Sequence, residues 1–200
     1  MNSEKLRGTK TEQILINAFA GESQARNRYT YAAEAAKSQS LHVIEAVFKF
    51  TANQEKEHGK IFYNFLKEMT GENITIDGSY PVDIYDDVLK LLRSAQHNEF
   101  EEFEPVYPDF AAVANQEGFT NIGAKFNQIA KIEKTHGDRF GMFADLLEQG
   151  KLFVSDVEEE WMCLNCGYVH KSSEAPKSCP VCSHPQGYFV RLKLAPFTTL

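Results

Sequence analysis

The chain has 200 residues, 42% of them hydrophobic, which is enough to bury the core of one medium domain and a small second one. Its formal net charge of −7 argues against a nucleic-acid-binding surface, because such a surface needs clustered Lys and Arg. No apolar run reaches the roughly 18 residues of a membrane span, and the N-terminus lacks the apolar core of a signal peptide, so we expect a soluble, cytoplasmic protein.

The first half of the chain predicts two long helices. Thr9 and Glu12 have the spacing of a capping box. Between residues 14 and 33, apolar side chains recur at three- and four-residue steps, which is typical of a helix that faces a core. A second helix is predicted from Leu41 to about Met69. The next segment, residues 70–82, is rich in Gly, Asn, Asp and Pro and predicts a connection.

The second half predicts two further helices. The third is expected to begin after Asp83 and to run to about Gln116, with Pro105 and Pro108 kinking or interrupting it. The fourth is expected from Thr120 to Leu147, with Gly150 at its C-terminal cap. The predicted fold of residues 1–150 is therefore an all-α four-helix bundle.

The composition changes after Lys151. We predict a linker at residues 151–157, with an acidic stretch from Asp156 to Glu160, and a small C-terminal domain at 158–200. About 45 residues bury little core, so this domain needs a bound metal to stabilise it. A short closing strand is predicted from the apolar residues Phe189, Val190, Leu192 and Leu194.

A Glu-x-x-His pattern occurs twice in predicted helices, at Glu55–His58 and at Glu133–His136. Residues three apart share a helix face, so a carboxylate and an imidazole can bind one ion together. A Glu in a separate helix precedes each pair, Glu22 33 residues before Glu55 and Glu99 34 residues before Glu133. One such pair alone is usually a solvated surface pair. Two pairs, each led by a Glu within an apolar stripe, form the ligand set of a di-iron or di-manganese carboxylate bundle.

Seven inward-facing side chains are predicted to bind these metals and to carry catalysis: Glu22, Glu55, His58, Glu99, Glu102, Glu133 and His136. Carboxylates with two imidazoles suit iron or manganese better than copper, and they also allow zinc. Tyr29 and Tyr107 lie two turns beyond Glu22 and Glu99. We expect their hydroxyls to orient ligand carboxylates or to supply protons; the alternative is that both are core aromatics with satisfied hydroxyls.

All four cysteines lie close together, in two Cys-x-x-Cys pairs: Cys163 and Cys166, then Cys179 and Cys182. This spacing places four thiolates in a tetrahedral array that fits a single iron or Zn²⁺. A structural zinc ribbon has the same spacing. A redox-active di-metal site needs single electrons, and an iron–cysteine centre delivers them, which favours iron.

With these motifs the chain resembles a rubrerythrin over nearly its whole length. The C-terminal segment is similar to a rubredoxin domain, with the short gap between cysteine pairs that rubrerythrins use. The matching stretches in the bundle are Gly21–Tyr29, Glu55-x-x-His58, Glu99-x-x-Glu102 followed by Val106-Tyr107-Pro108, and Ile129-Ala130 with Glu133-x-x-His136.

The resemblance implies a ferritin-like bundle with two non-haem iron ions and a rubredoxin-type site with one iron. It implies that Glu102 is a ligand that trades places with His58 when the irons change oxidation state. It also implies a peroxidase that reduces hydrogen peroxide to water in oxidative-stress defence. Electrons would come from NADH through an external reductase or a rubredoxin, and pass through the four-cysteine centre.

We also expect a head-to-tail homodimer or a larger assembly. The distance from His136 to the end of its helix is roughly 20 Å, so electron return within one chain is awkward, and a partner subunit would shorten the path. Two alternatives remain open, ferritin-like iron storage and a zinc-loaded structural or regulatory protein. The appended redox domain has no obvious use in storage.

Overall fold

The computed structural model describes residues 5–196. A turn of 3-10 helix, Leu66–Met69, continues the second helix, and a π-helical stretch, Glu102–Val106, joins the third to the fourth. The helices are α1 (Lys10–Ser38), α2 (His42–Phe65), α3 (Val88–Glu101), α4 (Tyr107–Gln116) and α5 (Thr120–Glu148). The predicted four-helix bundle is confirmed, with its third rod built from α3, the π-helical stretch and α4. The domain limits remain predictions, and their residues 1–4 and 197–200 lie outside the described part of the chain.

The helix ends follow from local side-chain chemistry. Thr9 caps α1, because its hydroxyl accepts a hydrogen bond from the Glu12 amide while the Glu12 carboxylate accepts one from the Gly8 amide. Asp87 caps α3 by accepting from the amides of residues 89 and 90, so this helix starts at Val88, five residues after Asp83. After α5, Gly150 adopts φ +66°, a conformation that favours glycine.

The interruption predicted in the third rod is confirmed. Pro105 lies in the π-helical stretch, and its neighbour Glu104 has a non-helical backbone (φ −159°, ψ 113°). Proline lacks the amide hydrogen that a continuous helix would use. Pro108 lies in the first turn of α4, where that missing hydrogen costs nothing.

The rods pair as two hairpins. α1 packs most extensively on α2, and α5 packs on both α3 and α4. Between the rods, two apolar clusters fill the interior. The first cluster draws on residues 25–36, 43–52, 88–95 and 140–144, and the second on residues 15–18, 62–69, 107–114 and 122–130. Each rod therefore has a gap between its two apolar stretches, and the predicted metal ligands fall in these gaps.

The C-terminal part is a three-stranded antiparallel sheet in the order β2-β1-β3. Trp161, at the centre of β1, is fully buried, and its indole N–H donates to the Ser172 carbonyl at 2.9 Å. Cys163, Cys179 and Phe189 complete the small core. The strands are β1 (Val154–Cys163), β2 (Val169–Glu174) and β3 (Phe189–Arg191).

Two local predictions about this region are wrong. The acidic stretch Asp156–Glu160 is part of β1 rather than a linker. Its last two residues, Glu159 and Glu160, pair with the polar strand β2, where Glu160 lies opposite Lys171, and the register is irregular between Val154 and Glu159. The closing strand ends at Arg191, and Leu192 and Leu194 lie in a 3-10 turn.

The sheet packs against the end of the bundle where α1 turns into α2. Val190 and Ala195 join the first apolar cluster, and the His42 ring stacks on Tyr188 with centroids 4.1 Å apart. Gly187 lies at this contact, where an added Cβ would fall 1.8 Å from the Ser40 carbonyl oxygen. Among the described residues, no helix is both long and apolar enough to cross a membrane.

Candidate di-metal centre and four-cysteine site

The gaps between the apolar clusters contain six buried polar side chains, one from α1, two from α2, one from α3 and two from α5. None of them is more than 5% exposed. The three-residue spacing within α2 and within α5 places each Glu and His on one face, as predicted. The six side chains are Glu22, Glu55, His58, Glu99, Glu133 and His136.

These side chains form two overlapping groups of candidate ligands. Glu55 and Glu133 belong to both groups; Glu22 and His58 complete the first, and Glu99 and His136 complete the second. Within each group the ligand atoms lie within 4.8 Å of one another. Two carboxylates shared between two four-residue groups is the arrangement that bridges a pair of ions.

The two imidazoles have matching environments. His58 Nδ1 lies 2.9 Å from Glu133 Oε1 and 3.2 Å from Glu55 Oε2. His136 Nδ1 lies 2.8 Å from Glu55 Oε1, 2.9 Å from Glu133 Oε2 and 3.3 Å from Glu99 Oε2. The rings are nearly parallel, with centroids 5.6 Å apart and an interplanar angle of 15°. The centre therefore has an approximate twofold arrangement that relates the two helical hairpins.

Many polar atoms of the centre have no hydrogen-bond partner within residues 5–196. They are Glu22 Oε2, Glu55 Oε1, Glu99 Oε2, both Glu133 oxygens and both His136 nitrogens. Buried lone pairs that face one another are strongly unfavourable unless cations lie between them. The residues present therefore fit a pair of metal ions.

Without metal, the centre must hold protons instead. Burial raises the pKa of Glu99 to about 8, and burial with the charges of Glu133 and Glu55 raises that of Glu22 well above its usual range. Burial lowers the pKa of His58 and of His136, but the adjacent carboxylates of Glu133 and Glu55 outweigh it and raise these values to about 9 and about 12. Metal binding to this centre must therefore displace protons.

Two tyrosine hydroxyls contact the outer carboxylate oxygens. Tyr29 donates to Glu99 Oε1 and Tyr107 donates to Glu22 Oε1, both at 2.5 Å. Both rings are buried, and burial raises the pKa of both phenols well above the usual value, so the hydroxyls keep their protons. The tyrosines hold the carboxylates by one oxygen and leave the other facing the centre.

Glu102 is the predicted ligand that the structure does not bring into either group. It is half-buried at the start of the π-helical stretch and lines a cavity together with Arg28, Tyr80 and Tyr107. His58, its expected exchange partner, lies within the first group. Sequence reasoning did not predict a role for Arg28; its position one residue before Tyr29, which lies on the inward-facing stripe, is a weak signal.

The four cysteine thiols converge at the edge of the small sheet. Cys163 Sγ lies 3.7 Å from Cys182 Sγ, and Cys166 Sγ lies 3.6 Å from Cys179 Sγ. All four sulfur atoms lie within 4.8 Å of one another, too far apart for disulfides and suited to one tetrahedral metal ion.

Two backbone turns with the same hydrogen bonds hold the thiols. In the first turn, the Gly167 amide donates to the Cys163 carbonyl at 2.8 Å; in the second, the Ser183 amide donates to the Cys179 carbonyl at 2.9 Å. Gly167 and Ser183 both have positive φ, +76° and +61°. A hydrogen bond from the His184 amide lowers the pKa of Cys182 to about 6, which favours the thiolate that binds metal.

Known proteins match both parts of the chain. The family profile described as rubrerythrin matches residues 13–144, and that of the rubredoxin-like domain of rubrerythrin matches residues 161–190. Rubrerythrin from Clostridium perfringens is 45% identical over 187 residues, which cover 93% of this chain and 96% of that protein.

Solved structures agree with the fold. The fully reduced, all-ferrous state of nigerythrin superposes with a TM-score of 0.62 at 27% identity and covers 95% of this chain and 90% of its own. The bacterioferritin of Desulfovibrio desulfuricans, whose structures describe a di-iron site, has a TM-score of 0.62 at 21% identity over 71% of this chain and 82% of its own. The bundle is therefore ferritin-like.

Proposed function

Because the chain belongs to the rubrerythrin family, a group of oxidoreductases with a di-iron site and a rubredoxin-like four-cysteine site, we propose that it is a peroxidase that reduces hydrogen peroxide to water. One observation carries this proposal: two groups of buried ligand atoms share Glu55 and Glu133, with their lone pairs facing each other. Two adjacent redox-active ions suit a two-electron substrate whose two oxygen atoms are joined by one bond.

The reaction consumes two electrons and two protons for each peroxide and yields two molecules of water. Glu22, Glu55, His58 and Glu133 would hold one iron, and Glu55, Glu99, Glu133 and His136 the other. When bound, the two ions would each supply one electron and act as Lewis acids toward the oxygens. The protein must supply the protons and keep the ligands in place.

The surroundings of the centre suit both tasks. Tyr29 and Tyr107 keep their phenol protons and hold Glu99 and Glu22, so these carboxylates remain positioned as the charge of the site changes. Glu102 lies beside the centre at a cavity, where its carboxyl group can pass a proton from solvent. The apolar clusters on both sides exclude bulk water from the ligands.

Electrons would reach the centre through iron bound at the four cysteines, which an external NADH-linked reductase or a rubredoxin would reduce. Cys166 is exposed, so a donor protein can approach this site closely. From His136 to the end of α5 is 12 residues (136 to 148), about 18 Å of helix. A head-to-tail homodimer, in which the small sheet of one subunit lies near the bundle of its partner, would shorten this path. A cytoplasmic location is part of the proposal, because closely spaced free thiols are typical of reducing compartments.

A stopped-flow titration tests the proposal. Iron-loaded protein, fully reduced without oxygen, is mixed with hydrogen peroxide, and the absorbance of both iron sites is followed. We expect rapid oxidation of the di-iron site with one peroxide consumed per two electrons, and faster reaction with peroxide than with dioxygen. Slow oxidation by peroxide, or preference for dioxygen together with uptake of many additional irons, would reject peroxidase activity in favour of ferroxidase and storage.

A further inference from the structure

Arg28 is a partly buried cation with unused hydrogen-bond donors. Its side chain is 14% exposed, and its Nε and Nη1 atoms are buried without a hydrogen-bond partner within residues 5–196. The nearest carboxylate oxygen, Asp83 Oδ2, lies 3.6 Å from Nε, beyond normal hydrogen-bond length. The same Asp83 oxygen accepts a 2.9 Å hydrogen bond from Asn98. Buried donors without acceptors are rare in folded proteins and indicate a missing ligand or water.

Arg28 lines a cavity of about 360 Å³ next to the di-metal centre. Glu102 and Tyr107 form part of its wall, and the Tyr107 hydroxyl binds Glu22, so one hydrogen bond separates the cavity from a metal ligand. Tyr80, from the connection between the two hairpins, lines the other part of the wall and is held there by a 2.9 Å hydrogen bond to the Asn17 carbonyl. This volume holds several water molecules or one small substrate.

The donors and acceptors of the wall match hydrogen peroxide. The Arg28 guanidinium offers N–H donors to oxygen lone pairs, and Glu102 offers a carboxyl oxygen that accepts from an O–H group. Tyr80 forms part of the same wall, so a larger hydroperoxide would contact its ring. The ring of Tyr80 is close to Gly21, where an added Cβ would lie 3.5 Å from Tyr80 Cε1 and 4.0 Å from Glu102 Oε1.

We propose that this cavity is the chamber through which hydrogen peroxide reaches the di-metal centre, and that Arg28 is the positioning residue that holds it there beside Glu102, with Tyr80 limiting the size of what passes. This inference rests on the proposed peroxidase function. It competes with two simpler readings. In one, Arg28 merely fixes the connection through Asp83; in the other, substrate uses a second cavity, of about 320 Å³, lined by Arg26, Glu55 and Gly59.

Four variants of the full-length, iron-loaded protein separate these readings. Arg28→Met removes the guanidinium N–H donors, Arg28→Lys keeps the positive charge, and Tyr80→Ala enlarges the cavity. Arg26→Met is the matched control, because Arg26 is an exposed arginine on the same helix at the rival cavity. Three rates are measured by stopped flow: oxidation of the reduced protein by hydrogen peroxide, its oxidation by tert-butyl hydroperoxide, and association of azide with the oxidised protein. Iron content is determined for each variant.

We expect Arg28→Met to slow both the peroxide reaction and azide association by about tenfold or more at unchanged iron content. This is the effect expected from the loss of one charge-assisted hydrogen bond. Arg28→Lys should recover part of both rates, and Arg26→Met should stay within about twofold of wild type, as expected for a surface charge. Tyr80→Ala should speed the reaction with tert-butyl hydroperoxide relative to hydrogen peroxide.

The inference is overturned if Arg28→Met changes thermal stability but changes neither the rate of oxidation by hydrogen peroxide nor the rate of azide association. It is also overturned if Arg26→Met, instead of Arg28→Met, slows these two rates. If Arg28→Met does not fold, the other two variants decide. The inference is overturned if Arg28→Lys associates with azide at the wild-type rate and Tyr80→Ala keeps the wild-type ratio of the tert-butyl hydroperoxide rate to the hydrogen peroxide rate. Failure of the proposed function looks different, because wild-type protein would then not react with peroxide while azide association would still depend on Arg28.

Discussion

The Tyr29 hydroxyl donates a 2.5 Å hydrogen bond to Glu99, which lies on the opposite helical hairpin. Tyr29 shares α1 with Glu22, yet it binds the outer carboxylate of the other ligand group. Tyr107, which follows Glu99 along the chain, binds Glu22 in the same crossed manner. Each hairpin therefore holds a ligand of the other, and the position of the two ligand groups depends on the packing of both hairpins together.

Replacing this phenol tests that dependence. Tyr29→Phe keeps the ring, which packs between Phe48 and Phe140, but leaves a buried oxygen of Glu99 without its donor. We expect a loss of about 1–3 kcal/mol in the free energy of unfolding of metal-free protein and a fall of about tenfold or more in peroxidase turnover. Tyr31→Phe is the control, because Tyr31 lies on the same helix and is 64% exposed; equal effects of both changes would contradict a role for the Tyr29 hydroxyl.

Replacing the candidate ligand His136 should affect the di-metal centre and the four-cysteine site differently. We expect wild-type protein to bind about three irons per chain, two in the bundle and one at the cysteines. The His136→Ala variant should retain about one iron, at the cysteines. Its four-cysteine absorbance should be intact and its peroxidase turnover lost. Elemental analysis and a visible spectrum measure this. His97→Ala is the matched control, because the His97 side chain is 71% exposed. Zinc in place of iron in both sites would contradict the prediction.

A feature of this centre can be predicted from the sequence when it depends on one helix alone, and cannot when it depends on how the helices pack together. The Glu55–His58 and Glu133–His136 pairs were predicted correctly as neighbours, because the three-residue helical repeat alone brings them together. The crossed tyrosine contacts could not be predicted residue by residue, since they depend on how the two hairpins pack. The same is true of Arg28, whose burial comes from the connection that passes over it.

Secondary structure shows the same division. The helices follow from apolar periodicity and caps, and their predicted ends differ little from those observed. The stretch Asp156–Glu160 has the composition of a solvated linker, but it lies within β1 and pairs with β2 at Glu159 and Glu160. Composition reports the exposure of these side chains correctly and says nothing about the hydrogen bonds of their backbone.

Removing the metal should make the stability of the protein depend on pH in a specific direction. Burial raises the pKa of Glu99 from 4.5 to about 8, so folded metal-free protein binds more protons than unfolded protein between these values, and its free energy of unfolding falls as pH rises. His58 acts in the same sense. Burial lowers its pKa, but the adjacent carboxylates of Glu133 and Glu55 raise it overall from 6.5 to about 9, so its stabilisation is complete below pH 6.5 and is lost as the pH rises through 9.

Glu55 has the opposite effect at low pH. Burial raises its pKa, but the adjacent imidazoles of His136 and His58 lower it overall from 4.5 to about 2, so its stabilisation is lost as pH falls below 4.5. We therefore expect metal-free protein to be most stable near pH 5 and to weaken steadily toward pH 9. Urea unfolding at several pH values measures this, with iron-loaded protein as the control. A rise in the stability of metal-free protein from pH 5 to pH 8 would show that the buried protons are absent.

Electron supply can be separated from peroxide chemistry at the four-cysteine site. Cys166 is exposed, so Cys166→Ser disturbs the small core little while it replaces a thiolate that binds metal. We expect steady-state turnover with an external reductase to stop, whereas chemically reduced protein still reacts once with peroxide at the wild-type rate. Single-turnover and steady-state assays on the same preparation measure this. Full steady-state activity in the variant would mean that electrons reach the bundle by another route.

Ser183 offers a prediction about stability that follows from backbone conformation alone. Its φ of +61° lies in the left-handed region, where a side chain costs about 1–2 kcal/mol and glycine does not pay that cost. The equivalent position of the first turn is Gly167, at φ +76°, so the fold already uses glycine for the same role. We expect Ser183→Gly to stabilise the small sheet by about 1 kcal/mol, measured as a later loss of four-cysteine absorbance on heating. Ser173→Gly, at an exposed position within β2, should instead destabilise it, because glycine gains no conformational advantage in a strand. If both changes lower the melting temperature, the serine hydroxyl stabilises the turn by more than its backbone strain costs.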